Sequence, residues 1–212
     1  MFEYLIDKIS KAKMHTEPYE YLFIEDFLSD DHYESLRDDF HSQDWIDEIA
    51  YNKVDYSAGL SSKGARDHCY NQGCKWDDYM EFIESDIFIE NMCNKFECEN
   101  IKEHLKYTVH EYLLDFPEHY IPIHQDSDGS KYPVFQISVF LPDKDYEEFG
   151  TILYKDEAGN GAVELPMFRN SALIYGLHPR TSWHGTKPGN RVRKSLLTRY
   201  RTSQFKKNPK YN

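Results

Sequence analysis

Residues 119–126 read His-Tyr-Ile-Pro-Ile-His-Gln-Asp, and they place a strand pattern directly before two side chains that can bind a metal ion. Aromatic and β-branched residues favour strands, and residues two apart in a strand lie on one face. His124 and Asp126 are therefore expected about 7 Å apart along the backbone, pointing the same way. Another imidazole, His184, follows much later in the sequence Ser-Trp-His-Gly. Two histidines and one carboxylate that leave other metal positions open suit non-haem Fe(II) and oxygen chemistry.

A basic residue and a hydroxyl follow His184 at a short spacing. Arg193 lies nine residues after His184, and Ser195 shares its face of a predicted strand by the two-residue period. A guanidinium group binds a carboxylate through two parallel hydrogen bonds, and a hydroxyl can add a third. We therefore expect Arg193 and Ser195 to bind a carboxylate, and we expect the neighbouring Arg191 and Lys194 to be solvent-screened charges.

Each of these residues also has an ordinary structural explanation. His124 is compatible with a core histidine, and Asp126 with the opening of the turn Asp-Ser-Asp-Gly. His184 is compatible with a surface turn, and Arg193 with a solvated charge. Taken together, in this order and on a β-rich pattern, they favour a functional site.

The set resembles the Fe(II)/2-oxoglutarate-dependent oxygenases, most closely their prolyl-hydroxylase-like branch. That family carries His-x-Asp, then a distal histidine, then a basic residue nine or ten positions on, often as Arg-x-Ser. The resemblance covers roughly residues 105–202, and it includes residues 150–153, Gly-Thr-Ile-Leu, where the family tends to have Gly-Gly-x-Leu. The matching positions here are His124, Asp126, His184, Arg193 and Ser195.

The resemblance implies a reaction and its cofactors. His124, Asp126 and His184 would bind Fe(II), and Arg193 would hold the distal carboxylate of the cosubstrate 2-oxoglutarate. Reaction with O2 would release succinate and CO2 and hydroxylate a substrate C–H bond. Family members that halogenate have a small residue in place of the metal-binding carboxylate, so Asp126 favours hydroxylation. The substrate is left open between a protein side chain, a free amino acid and a small metabolite.

One departure from the family concerns the cosubstrate pocket. Prolyl-hydroxylase-like members usually carry tyrosines there, whereas the nearest positions in this chain are Phe116 and Phe140. The cosubstrate carboxylate would lose a phenol partner. Gln136 or Ser138, on the neighbouring apolar strand pattern, are the candidates to replace it.

The pattern of the whole chain predicts one β-rich α+β domain over residues 1–212. Residues 1–104 form a helical support, with helices over 2–12, after the cap residue Ser29, and over 77–97. Residues 105–202 hold a series of strand patterns separated by turn signals. The architecture expected from this arrangement is a double-stranded β-helix, or jelly roll, with supporting N-terminal helices.

Residues 51–77 follow no period and contain several glycines. A stretch of this length without a pattern is often a functional lid or a plain surface insertion, and both alternatives stay open here.

Composition limits the other function classes. The net charge is −12, which disfavours nucleic acid as a partner, although the basic residues concentrate near the C-terminus. No apolar run approaches the ~20 residues of a membrane span. The N-terminus has no signal-peptide pattern, so we expect a cytoplasmic protein with reduced cysteines. Cys93 and Cys98 in particular, five residues apart on a predicted helix, would point apart.

Two other classes compete with the oxygenase hypothesis. A cupin-type metal-binding jelly roll would use the same histidines without 2-oxoglutarate, but cupins usually bring a His-x-His pair, which this sequence lacks. A carbohydrate-binding sandwich would account for the 16% aromatic residues but not for Arg193 and Ser195.

Overall fold

The computed structural model describes residues 2–38, 57–60, 76–98, 105–115, 117–118, 120–126, 132–176 and 182–202. Within these ranges the helices are α1 (Tyr4–Lys11), α2 (Asp30–Asp38), α3 (Trp76–Ile83) and α4 (Asp86–Lys95). The strands there are β1 (Tyr21–Ile24), β2 (Ser57–Leu60), β3 (Leu105–Asp115), β4 (Tyr132–Phe140), β5 (Tyr146–Tyr154), β6 (Val163–Met167), β7 (Ala172–Gly176), β8 (Trp183–Gly185) and β9 (Arg193–Thr202).

The strands form two antiparallel sheets. The larger sheet has the order β1-β7-β4-β9-β3-β2, and the smaller has the order β6-β5-β8. From β4 onward the chain passes from the larger sheet to β5 and β6, back to β7, out to β8 and back to β9. The prediction of a β-rich α+β protein with helices at the front is confirmed.

The larger sheet is covered on both faces, and this decides where polar side chains can lie. Phe135, Ile137 and Val139 of β4 belong to a core shared with the helices. The alternate residues Gln136 and Ser138 are buried on the opposite face. A second, smaller core, which includes Phe140, Leu153 and Tyr175, lies between the two sheets. Strand β4 is nearly continuous in apolar residues, but its two polar residues, Gln136 and Ser138, face the interior between the two sheets.

The helix predicted over 77–97 is two helices, because Ser85 interrupts it. Ser85 has an extended backbone (φ −67°, ψ 150°), and its hydroxyl accepts a hydrogen bond from the Phe88 amide at 3.4 Å. A serine in this position is a favourable N-cap for the helix that follows. The stripe Phe88, Met92 and Phe96 is buried in the core, as the pattern predicted.

The predicted strand from Tyr120 to His124 is wrong. The segment is held to the smaller sheet through an isolated bridge between His124 and His184 and through two hydrogen bonds between Ile121 and Thr186. Pro122 has no amide hydrogen, so it cannot continue a ladder. The closeness of His124 and Asp126 therefore does not come from strand alternation.

The prediction that the Cys93 and Cys98 thiols point apart is also wrong. Helix α4 ends before Cys98, and the positive φ of Glu97 (50°) turns the chain so that the Cys98 amide bonds to the Cys93 carbonyl at 3.0 Å. A hydrogen bond to Cys93, together with burial, raises the pKa of the Cys98 thiol. Neither of the two cysteines forms a disulfide. Cys69 and Cys74 lie outside the described residues.

Residues 51–77, interpreted as a lid or an insertion, also lie largely outside the described part. Only the short strand β2 and the first two residues of α3 are described there. Among the described residues, no helix is both long and apolar enough to cross a membrane.

Gly150 is required where β5 passes β6. A Cβ at this position would lie 2.4 Å from the carbonyl oxygen of Leu165 and 2.5 Å from that of Pro166. Both obstacles are backbone atoms, so neither can move without separating the strands. We expect Gly150→Ala to lower the free energy of unfolding by about 3 kcal/mol or more, measured by urea denaturation. The comparison variant is Gly159→Ala, where the nearest atom is the movable Ile123 side chain at 3.1 Å and the left-handed backbone (φ +82°) adds a cost of only about 1 to 2 kcal/mol. An equal or larger loss in the control would contradict this explanation.

Candidate active site

The structure brings the three predicted metal ligands together. One ligand atom from each of His124, Asp126 and His184 lies within 4.8 Å of the other two. His124 Nε2 is 3.5 Å from Asp126 Oδ1, and His184 Nε2 is 3.4 Å from Oδ2. The centroids of the two imidazole rings are 4.3 Å apart. Three nitrogen and oxygen donors thus converge on one point.

The backbone places the two histidines side by side. The His124 amide donates to the His184 carbonyl at 2.9 Å, and the His184 amide donates to the His124 carbonyl at 3.0 Å. In each ring Nδ1 lies 2.9 Å from a carbonyl oxygen two residues earlier, Pro122 for His124 and Ser182 for His184. A carbonyl can only accept, so Nδ1 carries a proton, and in the neutral ring Nε2 keeps the lone pair that can bind a metal. Metal-binding histidines commonly have such an orienting partner.

The carboxylate of Asp126 also fits a cation. Its Oδ2 atom is buried and has no hydrogen-bond partner in the described part of the chain. Burial alone would raise the pKa of Asp126, but the imidazoles of His124 and His184 and the charge of Arg199 hold it well below its usual range. A buried, ionised oxygen without a donor is costly unless a cation lies beside it. The donor set therefore fits a divalent metal ion such as Fe(II).

A pocket between the two sheets connects the triad to the predicted cosubstrate residues. It is lined by His124 and His184 and also by Arg193, Ser195 and Gln136. Ser195 is buried, and it lies on the same face of β9 as Arg193. Residues of β9 alternate between two faces, as predicted. Leu196 and Tyr200 lie on the face opposite Arg193 and Ser195 and pack in the core on the helix side.

Arg193 is held in place by two side chains that the sequence did not single out. Its Nη1 donates to Asp115 Oδ2 at 2.9 Å, and its Nη2 donates to Thr151 Oγ1 at 3.0 Å. The guanidinium carbon lies 5.3 Å from the centre of the Phe140 ring. Only 12% of the Arg193 side chain is exposed. Thr151 stands where the family tends to have the second glycine of Gly-Gly-x-Leu, so its hydroxyl is a further candidate partner for a carboxylate.

Gln136 is bonded at both ends of its carboxamide. Its Nε2 donates to the Tyr175 hydroxyl at 2.7 Å and lies 3.4 Å from Ser138 Oγ. Its Oε1 accepts from Arg199 Nε at 2.9 Å. Both candidates for the missing phenol, Gln136 and Ser138, line the pocket. Their contact with a cosubstrate stays a prediction.

Sequence reasoning also missed Arg199, which lines the pocket, and Tyr175, which bonds to Gln136. Arg199 has a detectable signal, because it continues the two-residue period of Arg193 and Ser195 along β9. Tyr175 has none, since its place opposite Gln136 depends on the pairing of β4 with β7. Phe116, named from the sequence as a position near the cosubstrate pocket, lies outside the described residues.

Comparison with known proteins gives structural matches without sequence matches. No protein-family profile and no curated protein sequence matches the chain. A prolyl-4-hydroxylase from Pseudomonas putida superposes with a TM-score of 0.61 at 12% identity, covering 95% of this chain and 99% of that one. A prolyl hydroxylase from Trichoplax adhaerens, in complex with a peptide fragment of hypoxia-inducible factor, gives 0.62 at 13% identity, covering 94% and 87%.

A third structure extends the likeness beyond the prolyl hydroxylases. EvdO2 from Micromonospora carbonacea, complexed with 2-oxoglutarate, gives a TM-score of 0.52 at 11% identity, covering 100% of this chain and 96% of that one. At sequence identities this low, the structural superpositions establish the fold alone. The chain has the fold of the Fe(II)/2-oxoglutarate oxygenases, and the resemblance to their prolyl-hydroxylase-like branch is confirmed at that level.

Proposed function

We propose that this protein is an Fe(II)- and 2-oxoglutarate-dependent dioxygenase that hydroxylates a C–H bond and releases succinate and CO2. The observation that carries the proposal is that the two candidate metal-binding histidines and the largely buried Arg193 line the same pocket. We also interpret the two antiparallel sheets as the two faces of a jelly roll, since the chain alternates between them from β4 to β9.

His124, Asp126 and His184 would hold the metal. When bound, Fe(II) supplies open positions for the cosubstrate and O2 and the electrons that activate O2. The protein's own part is to orient both rings through the carbonyl contacts at Nδ1, so that each Nε2 faces the metal position, and to keep Asp126 ionised. The hydrogen bond with Asp126 raises the pKa of His124, so metal binding would displace the proton that a charged His124 carries at Nε2.

Arg193 would bind the distal carboxylate of 2-oxoglutarate, with Ser195 and Thr151 as hydroxyl partners and Gln136 as a further candidate. Asp115 positions the guanidinium by accepting from Nη1. The Phe140 ring lies beside the guanidinium and limits its contact with water. A charge-assisted pair in such a partly desolvated pocket is stronger than one at the surface.

The substrate class stays open between a peptide or protein side chain and a small molecule. One neighbour in the fold is a prolyl hydroxylase bound to a peptide, which supports the peptide alternative. In this chain Tyr120, with 55% of its surface exposed, lies next to Ile121 at the pocket wall. An exposed aromatic ring at this place can contact a bound peptide.

The direct test is calorimetry under anaerobic conditions. The Fe(II)-loaded protein should bind one 2-oxoglutarate per chain, and the metal-free protein should bind it much more weakly. Under O2, addition of the true substrate should stimulate succinate formation. A protein that takes up metal but shows no 2-oxoglutarate binding would contradict the proposal.

That outcome would favour a cupin-type metal-binding jelly roll. One observation supports this second candidate: the Asp115 carboxylate already pairs with Arg193 Nη1 without any ligand. Both candidate functions, the dioxygenase and the cupin-type protein, require the metal triad. Only the binding of 2-oxoglutarate therefore distinguishes them.

A further inference from the structure

Arg199 lies next to the metal triad, at the other end of β9 from Arg193. It lines the same pocket, and 19% of its side chain is exposed. Its Nη2 is 3.5 Å from Asp126 Oδ1, and its Nε donates to Gln136 Oε1 at 2.9 Å. A second guanidinium group therefore contacts the carboxylate that would bind the metal.

The two oxygens of Asp126 have different surroundings. Oδ1 lies close to the positive charge of Arg199, whereas Oδ2 is buried and accepts no hydrogen bond within the described residues. A metal ion would compensate Oδ2, the oxygen that lacks a donor. Oδ1 lies 3.5 Å from both His124 Nε2 and Arg199 Nη2, so a metal ion could bind this oxygen only in competition with the guanidinium group.

The position of Arg199 is fixed by the larger sheet. A guanidinium group has only donors, so it orients the Gln136 carboxamide with its oxygen towards Arg199 and its nitrogen towards Tyr175. Tyr175 is fully buried and lies opposite Gln136 on β7. Three neighbouring strands, β9, β4 and β7, thus hold the Arg199 side chain through one hydrogen-bonded chain.

Resting on the proposed function, we propose that Arg199 is a positioning residue that holds Asp126 Oδ1 off the metal. With one oxygen from Asp126 and the two imidazoles as ligands, a bound Fe(II) would keep open positions for 2-oxoglutarate and O2. If both oxygens bound, one of these positions would be lost. Arg199 also offsets the charge of Asp126, which would otherwise repel the dianionic cosubstrate.

The test separates the affinities for metal and cosubstrate in Arg199→Met. This variant keeps the length of the side chain but removes its charge. Metal affinity, measured by anaerobic calorimetry with Co(II), should be unchanged or higher, because a nearby positive charge is gone and a second oxygen can bind. Affinity of the Co(II)-loaded protein for 2-oxoglutarate should fall about tenfold to a hundredfold. The ligand-field absorption of Co(II), which reports its coordination, should differ from that of the wild type.

Arg199→Lys is the matched control, since it restores a charge and should recover most of the cosubstrate affinity. Should Arg199→Met fail to fold, Arg199→Gln takes its place, because it removes the charge but keeps a polar group, and the same pattern of retained metal affinity and weaker 2-oxoglutarate binding is expected. Equal losses of metal and cosubstrate would overturn the inference, because they indicate a general structural role. Unchanged cosubstrate affinity and an unchanged Co(II) spectrum would overturn it as well. Failure of the wild type to bind metal and 2-oxoglutarate would instead refute the proposed function.

Discussion

The His184→Ala protein is expected to bind metal more than about a hundredfold more weakly than the wild type. Removing a residue that only orients a metal ligand costs up to about a hundredfold, and losing a ligand itself should cost more. The substitution deletes one of three donors and leaves His124 and Asp126, which cannot hold a divalent ion tightly by themselves. The backbone bridge to His124 involves only amide and carbonyl groups, so it can persist in the variant. The measurement is anaerobic calorimetry with Co(II) or Fe(II) on the purified protein.

His110→Ala provides the matched control for this loss. His110 is a fully buried histidine outside the triad, with its ring nitrogens bonded to Thr198 and Glu84. Its removal should lower the free energy of unfolding without changing metal affinity. If metal binding survived in His184→Ala and disappeared in His110→Ala, the metal site would have been assigned to the wrong residues.

The Arg193→Ala protein is expected to bind 2-oxoglutarate about thirty- to a thousandfold more weakly, equivalent to roughly 2 to 4 kcal/mol, with metal affinity nearly intact. The variant loses a charge-assisted pair in a largely buried pocket. Affinity would be measured on the metal-loaded protein under anaerobic conditions. Loss of metal binding together with cosubstrate binding would place Arg193 in the metal site instead.

The structure adds a stability effect to this prediction. Asp115 is 5% exposed and pairs with Arg193, so the single substitution removes a cationic partner from a buried carboxylate. Breaking such a pair typically costs about 3 to 5 kcal/mol of folding stability. The double variant Asp115→Asn, Arg193→Ala removes both charges. It should regain most of the lost stability but none of the cosubstrate affinity, which separates binding from folding.

Neighbouring basic residues serve as controls. Lys194 pairs with the exposed Asp143 at 3.5 Å, and Lys194→Ala should change 2-oxoglutarate affinity little. Arg191 was expected to be a screened charge, but its guanidinium carbon lies 4.0 Å and 4.3 Å from the ring centres of Tyr146 and Phe149. Arg191→Ala should therefore reduce stability through lost stacking and leave the cosubstrate bound. A larger loss of 2-oxoglutarate affinity from either control than from Arg193→Ala would contradict the assignment.

Local patterns predicted those features that depend on which face of a strand or helix a residue occupies. The alternation along β9 placed Arg193 and Ser195 on one face, and the structure has both in the pocket. The stripe of Phe88, Met92 and Phe96 indicated a buried helix face, and those side chains are in the core. The order of His124, Asp126 and His184 pointed to a fold that structural neighbours share.

Local patterns failed where one residue changed the backbone path. Ser85 divides a helix because its hydroxyl competes for the amides of the next turn. Pro122 prevents a continuous strand before His124, and an isolated bridge between His124 and His184 places the two imidazoles side by side. The predicted closeness of His124 and Asp126 was right, although the reason given for it was wrong.

The sequence by itself determined the chemical types at the site and their faces: two imidazoles, one carboxylate, and a guanidinium two residues before a hydroxyl. Only the tertiary structure decided their partners. Asp115 meets Arg193 through the pairing of β3 with β9, and Thr151 reaches it from the opposite sheet. Arg199 contacts Asp126 across the pocket. Periodicity encodes the direction of a side chain along its own element, whereas the partner it meets depends on strand pairing and sheet packing between distant parts of the chain.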